Sequence, residues 1–331
     1  MKKINFLLSC SMVAALALTS CSLNEDVNKL PEETPIAFDT YVGRDAQTKG
    51  HVETLDGVKE HGFGVFAYYD APSDDPKNAY NKADFMYNQE VSWDNTAWTY
   101  SPLKYWPKQG DLDFLAYAPY NDSHITLPTE GALSPVATFT VDATVANQVD
   151  FLVAGAKEGL AYAKPVEFTF GHVLSKIQFY AKSGVADAGI KIYVNSIVLR
   201  GDFYTTRHIN LSNSAWQSAT APSGSYTLTQ GTDFVSTVDA PLLSAEFQAL
   251  NKDEKGYLFL IPDGQAKQIT INYTIEQHDA DPIILEETID ISQTLAKGTA
   301  YKFQLTFSLE PIVFDAEVTG WDSNSTDVTI P

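Results

Sequence analysis

Apolar and polar residues alternate with a period of two along much of the chain. In the stretch YKFQLTFSL, residues 301–309, every second residue is apolar. The same spacing recurs at 166–170 and 269–275, and clusters of turn-forming residues such as 71–76 separate the runs. A strand with one buried and one solvated face requires this period. The pattern therefore predicts an all-β fold of antiparallel β-sandwiches, with 240–250 as the best candidate for a helix.

The chain is long enough for two ordinary domains, because it has 331 residues of which 44% are apolar. Its first half is rich in Trp and Tyr, and its second half has a more regular alternation of Ile, Val and Thr. Lys164 and Pro165 lie between the two halves. We therefore predict an N-terminal sandwich at 36–164 and a C-terminal sandwich at 165–331.

The N-terminus has the features of an export signal. Lys2 and Lys3 precede a mostly apolar run, residues 4–18, which is shorter than the roughly 20 residues that a membrane-spanning helix needs. We predict a lipoprotein signal peptide at 1–20, because the sequence LTSC that ends at Cys21 resembles the lipobox of bacterial lipoproteins. The resemblance implies cleavage before Cys21, its acylation (palmitate among the acyl chains), and a tether at 21–35. An ordinary signal peptide with an incidental cysteine is the alternative.

The charge and the cysteines exclude several classes of function. The formal net charge is −20, so a nucleic-acid partner is not expected, since phosphate binding needs clustered Lys and Arg. The two cysteines are Cys10, inside the signal peptide, and Cys21. The mature chain would therefore have no free thiol, no disulfide and no cysteine metal site.

Several stretches of the chain resemble the fimbrillin family, the lipoprotein subunits from which Gram-negative anaerobes build type V pili. They are FGVFAYYD at 63–70, WTYSPLKYWPKQGDLDFLAYAPY at 98–120, VDFLVAGA at 149–156, FTFGHVLSKIQFYAKSG at 168–184, YLFLIPDG at 257–264 and IVFDAEVTGWD at 312–322. The resemblance implies two tandem transthyretin-like sandwiches in an outer-membrane lipoprotein at the cell surface, where Asn24-Glu25-Asp26 resembles a surface-export signal. It also implies trimming after a basic residue and assembly into a fimbrium by strand exchange with other subunits.

The residues that follow the tether fit this scheme. A strand is predicted at 36–42, with Ile36, Phe38, Thr40 and Val42 on one face. Arg44 and Lys49 follow it, and cleavage after either would separate the anchor and first strand from the body. Lys49 stands where the family usually has arginine. The alternative is that 36–42 forms a permanent edge strand and Arg44 lies in a solvated loop.

Loss of the first strand would leave a groove that an extended segment of another subunit can fill by β-augmentation. The sequence IVFDAEV has the alternation that such a donor needs. Its inward residues would be Ile312, Phe314, Ala316 and Val318.

Signatures of enzymes and metal sites are weak, and we predict no catalytic residue, metal or cofactor. The histidines form no H-x-x-x-H pair, and the chain has neither a G-x-S-x-G elbow nor a P-loop. The motif GFGVFA at 62–67 satisfies G-x-G-x-x-A, but it lies in an alternating strand and begins no helix. The turn 277–281 offers oxygens and an imidazole, which are more often solvated than metal-bound. His172, between Phe170 and Leu174, is expected to be a packed or hydrogen-bonded strand residue.

The aromatic residues Trp93, Trp98, Tyr105 and Trp106 allow two interpretations. Core packing is favoured, but aromatic rings on a β-sandwich also stack on sugars. The sequence therefore leaves two functions open. The first is a fimbrial structural or adhesin subunit, and the second is a monomeric surface lipoprotein that binds a glycan or host ligand.

Overall fold

The structure is a computed structural model that describes residues 34–42, 54–70, 84–130, 135–161, 165–187, 189–229, 246–250, 257–278, 280–308, 312–321 and 328–329. Strands are the main regular secondary structure of these residues, so the predicted all-β class is confirmed. The strands are β1 Phe38–Val42, β2 Phe63–Asp70, β3 Met86–Trp93, β4 Trp98–Thr99, β5 Asp111–Ala118, β6 Ile125–Thr126, β7 Val136–Thr140, β8 Leu152–Val153, β9 Lys157–Leu160, β10 Val166–His172, β11 Ser175–Ser183, β12 Lys191–Asp202, β13 Thr206–Asn210, β14 Ala215–Trp216, β15 Ser223–Thr229, β16 Gln248–Ala249, β17 Leu258–Leu260, β18 Gln265–Glu276, β19 Ile283–Thr294, β20 Thr299–Phe307, β21 Val313–Gly320 and β22 Val328–Thr329.

The described residues contain one α-helix, α1 at Leu55–His61, and a 3₁₀ turn at Val145–Asn147. The side chain of Thr54 caps α1 by accepting a hydrogen bond from the backbone N–H of Gly57 (3.1 Å). The prediction of a helix at 240–250 is wrong for its described part, because residues 248–249 form β16. Residues 240–245 lie outside the described ranges.

The strands form four sheets. The first sheet has the order β1-β10-β8-β5-β2-β3-β4, with β9 also paired to β5. The second has the order β16-β11-β20-β21-β22, with β17 also paired to β11. The third has the order β15-β12-β18-β19, and the fourth has the order β14-β13-β7-β6. Most pairs are antiparallel, as predicted, but β1–β10 and β11–β20 are parallel.

The first sheet buries side chains on both faces. In β2 and β5, alternate residues such as Phe63 and Phe114 pack into one core cluster, with the inward residues of β1 and β10. The residues between them, such as Phe66 and Leu115, pack into a second cluster that continues through the other sheets. β2 is a strand, as predicted, but its residues from Phe63 to Tyr68 are buried on both faces, so it lacks the wet face that the predicted alternation implies.

Strands from the two sides of the predicted boundary at 164/165 pair with each other. β10 lies in the first sheet between β1 and β8, and β13 pairs with β7 in the fourth. Residues 166–172 therefore belong with the strands of the first half. The division into domains at 36–164 and 165–331 stays a prediction. Among the described residues, no helix has the length and apolar character to cross a bilayer.

Candidate functional site

The predicted first strand lies at the edge of the first sheet. β1 pairs in parallel register with β10, from Phe38 opposite Val166 to Val42 opposite Phe170. Among the described strands, β10 is its single neighbour. Ile36, Phe38 and Thr40 are buried, and Asp39 and Tyr41 between them are exposed, so the predicted alternation is confirmed. Exchange of this segment stays a prediction.

Phe38 fills an aromatic pocket. Its ring stacks on Phe168 of β10 (5.8 Å between ring centroids) and meets the edges or faces of Phe63 (6.3 Å), Phe114 (6.0 Å) and Tyr100 (5.3 Å). We call these four aromatic residues, with the edge of β10, the β1 groove. Phe63, Phe114 and Phe168 are completely buried. Removal of β1 would therefore uncover apolar surface that the rest of the first sheet leaves without a cover.

The residues just before β1 are held by the loop that precedes β5. Ile36 donates its backbone N–H to the carbonyl of Lys104 (2.9 Å), and the backbone N–H of Trp106 donates to the carbonyl of Thr34 (3.0 Å). The Tyr100 hydroxyl donates to the carbonyl of Ile36 (2.9 Å). All three bonds involve backbone groups of the 34–36 segment. An extended chain of another sequence could make the same bonds.

The predicted C-terminal donor segment lies in the protein's own second sheet. β21 pairs antiparallel with β20 along its length. Ile312 and Ala316 are buried, whereas Phe314 and Val318 are partly buried and pack against the main core. The ring of Phe314 contacts that of Phe303 on β20 (5.3 Å). The inward orientation of these residues is confirmed, and their donation to another subunit stays a prediction.

The two segments share a sequence motif. Residues 36–42 read IAFDTYV and residues 312–318 read IVFDAEV, so both follow the pattern I-x-F-D-x-x-V. Their local backbone hydrogen bonds also match. The carboxylate of Asp39 accepts from the N–H of Thr40 (2.8 Å), and that of Asp315 accepts from the N–H of Ala316 (2.8 Å). Alternation alone did not reveal this repeat, but direct comparison of the two segments would have found it.

The predicted anchor and processing residues lie outside the described ranges. These are the signal peptide at 1–20, Cys21 and most of its tether, Arg44 and Lys49. β1 ends at Val42 and α1 begins at Leu55, so both basic residues fall in the connection between a described strand and a described helix.

Comparison with known proteins assigns the family. The chain matches the family profile described as fimbrillin-like over residues 54–321. The chain belongs to the fimbrillin-like family. Among curated proteins, it is similar to fimbrium subunit Fim1C of Phocaeicola vulgatus, with 26% identity over an alignment that is 373 positions long and covers 96% of this chain and 97% of that protein.

Solved structures agree with this fimbrillin-like assignment. A fimbrial protein from Bacteroides vulgatus superposes with a TM-score of 0.70 at 25% identity, covering 87% of this chain and 99% of that chain. A protein from Bacteroides uniformis superposes with a TM-score of 0.53 at 16% identity, covering 87% of this chain and 99% of that chain, and shares the fold. The fimbrillin-like match begins at Thr54, so β1, Arg44 and Lys49 precede the matched residues.

The aromatic cluster is mostly packed, as the favoured interpretation predicts. Trp106 is buried against Phe114 (5.9 Å), and the half-buried Trp98 contacts Phe63 (4.9 Å). Trp93 lies against Trp98 and beneath the ammonium group of Lys59. Tyr105 is 43% exposed.

The other residues considered for chemistry have structural surroundings. His172 is buried and its Nδ1 lies 2.6 Å from Asp150 Oδ2, which confirms the predicted hydrogen-bonded histidine. The G-x-G-x-x-A motif at 62–67 follows α1 and enters β2, so it begins no helix. Asp279 of the turn 277–281 lies outside the described ranges. Within those ranges, no group of three or more His, Cys, Asp or Glu is placed to hold a metal.

Proposed function

We propose that this protein is a non-catalytic structural or adhesin subunit of a fimbrium, assembled by replacement of β1 with the C-terminal strand of a neighbouring subunit. The observation that carries the proposal is the shared motif of 36–42 and 312–318, combined with the position of β1 at a sheet edge. The fimbrial names of the relatives support the same role for this chain.

The energetic argument starts from the buried side chains of β1. Ile36 and Phe38 are almost completely buried, and each contributes about 1.5–3 kcal/mol on burial. With the backbone bonds to β10 and the 100–106 loop, the whole segment contributes about 5–8 kcal/mol as an upper estimate. Loss of β1 therefore destabilises the body by exposing apolar surface to water. A strand with the same inward residues would cover that surface and restore the lost stability. This is β-augmentation at a sheet edge.

The shared motif defines the register of the incoming strand. Ile312 takes the position of Ile36, and Phe314 enters the aromatic pocket of Phe38. Ala316 takes the position of Thr40, which pairs with Phe168 of β10, and therefore lies opposite Phe168. The incoming strand is parallel to β10, as β1 is.

Export and trimming supply the free groove. The chain is acylated on Cys21, held at the outer membrane by these acyl chains, and displayed at the cell surface. A protease cleaves after Arg44 or Lys49, in the connection between β1 and α1. Because β1 is attached to the anchor and the body is not, cleavage allows the body to leave and its groove to accept another subunit.

The alternative function is a monomeric surface lipoprotein that binds a glycan or a host or bacterial protein. The exposed side chains of Leu103 and Tyr105 favour it, since both lie on the loop before β5. The packing of Trp98 and Trp106 leaves fewer stacking surfaces than this function needs. We therefore rank it second.

Limited proteolysis tests the leading proposal. A chain that begins at Ser22 carries no lipid and no thiol, and it is treated with trypsin under native conditions. We expect cleavage between Val42 and Thr54, followed by oligomers that survive on an unboiled gel. A matched variant with Arg44→Gln and Lys49→Gln should stay intact and monomeric. Cleaved protein that remains monomeric at high concentration would reject exchange and favour the alternative.

A further inference from the structure

Thr40 is the inward residue at which the two matching segments differ. The other inward pairs are identical, namely Ile36 with Ile312, Phe38 with Phe314 and Val42 with Val318. At the third position, β1 carries a hydroxyl and the C-terminal segment carries the methyl group of Ala316. The inference below rests on the proposed strand exchange, because it concerns which strand the β1 groove prefers.

The hydroxyl of Thr40 is buried without a partner. Thr40 is 3% exposed, and its Oγ1 has no hydrogen-bond partner among the described residues. Its surroundings on the inward face are apolar, because Phe38 and Val42 flank it on β1 and Phe168 lies opposite on β10. Apart from Tyr226, no other side chain of the described residues has such a buried and unpartnered polar atom.

A hydroxyl in this position weakens the strand that carries it. When β1 is detached, the hydroxyl makes hydrogen bonds to water. When β1 pairs with β10, the hydroxyl loses these bonds and gains none, which lowers the equilibrium constant for pairing roughly five- to a hundredfold. A strand with an apolar residue at the third position avoids this cost. Ala316 fills less volume than Thr40, so part of the gain is offset by lost packing.

We propose that Thr40 is a specificity-determining residue of the β1 groove: its unpartnered hydroxyl weakens the protein's own strand, and the groove prefers an incoming strand with an apolar third residue. The strand that fits this preference is 312–318 of a second copy of this chain, which carries Ala316 at the third position. Within the groove, the incoming strand is then favoured over β1, because it replaces a mismatched residue with a matched one while the other three anchors stay the same. The pairing of β21 with β20, which the donor gives up, is a separate cost. Before cleavage, covalent attachment of β1 to the body compensates for the mismatch.

The first test uses the uncleaved chain and does not require strand exchange. Thr40→Val keeps the shape of the side chain and removes the hydroxyl, whereas Thr40→Ser keeps the hydroxyl and removes a methyl group. We expect amide hydrogen exchange at Phe38–Val42 to slow about tenfold in the Val variant and to become faster in the Ser variant. Equal or faster exchange in the Val variant would overturn the proposal.

The second test measures the preference of the groove itself. Trypsin-trimmed protein is titrated with labelled synthetic peptides of residues 310–320 that carry Ala, Val or Thr at position 316, and displacement of the β1 fragment is followed. We expect the Thr peptide to bind about tenfold more weakly than the Val peptide, which has the same shape. Equal affinity of these two peptides would overturn the preference and leave exchange intact. If no peptide binds, the proposed exchange fails, and the amide exchange comparison alone decides whether the Thr40 hydroxyl weakens β1.

Discussion

The indole of Trp321 lies flat on the imidazole of His172, with ring centroids 4.0 Å apart and planes 6° from parallel. His172 ends β10, the strand that pairs with β1, and Trp321 directly follows β21. The ring of Phe259 also stacks on Trp321, with centroids 5.8 Å apart. The end of the proposed donor strand is thus fixed to the end of the strand that forms the groove. Any release of β21 must break this stack.

The stack predicts an effect of Trp321→Ala. The variant should lose about 1–3 kcal/mol of stability, because it removes a half-buried aromatic ring that stacks on two others. Hydrogen exchange should become faster at Val313–Gly320 before it changes elsewhere. Trp321→Phe, which keeps a ring, serves as the control and should lose less. If protection of β21 is unchanged in the Ala variant, the stack does not restrain this strand.

Phe38 should be the main anchor of β1. Phe38→Ala removes a ring that contacts four aromatic neighbours, so we expect a loss of about 3–5 kcal/mol in denaturant unfolding. Tyr41→Ala changes the same strand at a side chain that is 52% exposed, and should alter stability by less than about 0.5 kcal/mol. Similar losses in the two variants would mean that strand pairing, not the pocket, holds β1.

The period of two predicted those strands that have one wet face. Residues 166–170, 269–275 and 301–307 alternate in sequence, and each of these stretches lies within a strand in the structure. The helix α1 was missed, because seven residues with Val58 as the one buried side chain carry almost no helical periodicity. Short segments of this kind are decided by tertiary contacts.

The candidate site was predicted in part. The inward residues of 36–42 follow from local alternation, so the sequence was sufficient for them. The parallel pairing of β1 with β10 joins residues more than a hundred positions apart, and no local pattern encodes it. The hydrogen bond from the Tyr100 hydroxyl to the carbonyl of Ile36, which we call the Tyr100 clamp, could not be predicted for the same reason. A tyrosine in a loop does not indicate which distant carbonyl it contacts.

The Tyr100 clamp can be tested with Tyr100→Phe, which removes only the hydroxyl. The hydroxyl donates to the carbonyl of Ile36 (2.9 Å) and lies 3.2 Å from the carbonyl of Lys104, so its loss should cost about 0.5–1.5 kcal/mol. The ring stays in place, and the pocket of Phe38 should therefore be preserved. We expect faster amide exchange at Ile36 while Phe114 in the middle of the first sheet stays protected. Tyr41→Phe removes an exposed hydroxyl from β1 and is the matched control; an equal effect there would argue against the clamp.

Asp113 should make the stability depend on pH. It is 8% exposed, and burial raises the pKa of its carboxyl, with Glu158, Asp70 and Asp111 raising it further and the N–H of Gly159 (2.6 Å) opposing the shift. The folded state therefore keeps the proton at a pH where the unfolded state has lost it. Stability should fall as pH rises from the usual Asp pKa near 4 through the raised folded value, and stay lower above it.

Asp113→Asn removes this titration and should be more stable than the parent at pH 7, by up to about 1 kcal/mol. Its amide oxygen can still accept from Gly159. Urea unfolding between pH 4 and pH 7 measures the difference, which should be smallest at the acidic end. Asp290→Asn, an exposed acid on β19, should give no comparable change. A constant difference across the pH range would contradict the assignment.

The register of the proposed exchange can be fixed by cross-linking, because a chain that begins at Ser22 has no other cysteine. Tyr41 of β1 pairs with Thr169 of β10. Glu317 occupies the position of Tyr41 in the I-x-F-D-x-x-V motif. Thr169→Cys combined with Glu317→Cys should therefore form a disulfide between subunits after trimming, since paired strand residues have the Cα separation that a disulfide needs. In the uncleaved chain Glu317 pairs with Lys302, so no bond should form there. Thr169→Cys with Asp315→Cys is shifted by two residues, about 7 Å along a strand, and should fail to cross-link. If the shifted pair reacts and the matched pair does not, the incoming strand does not copy β1.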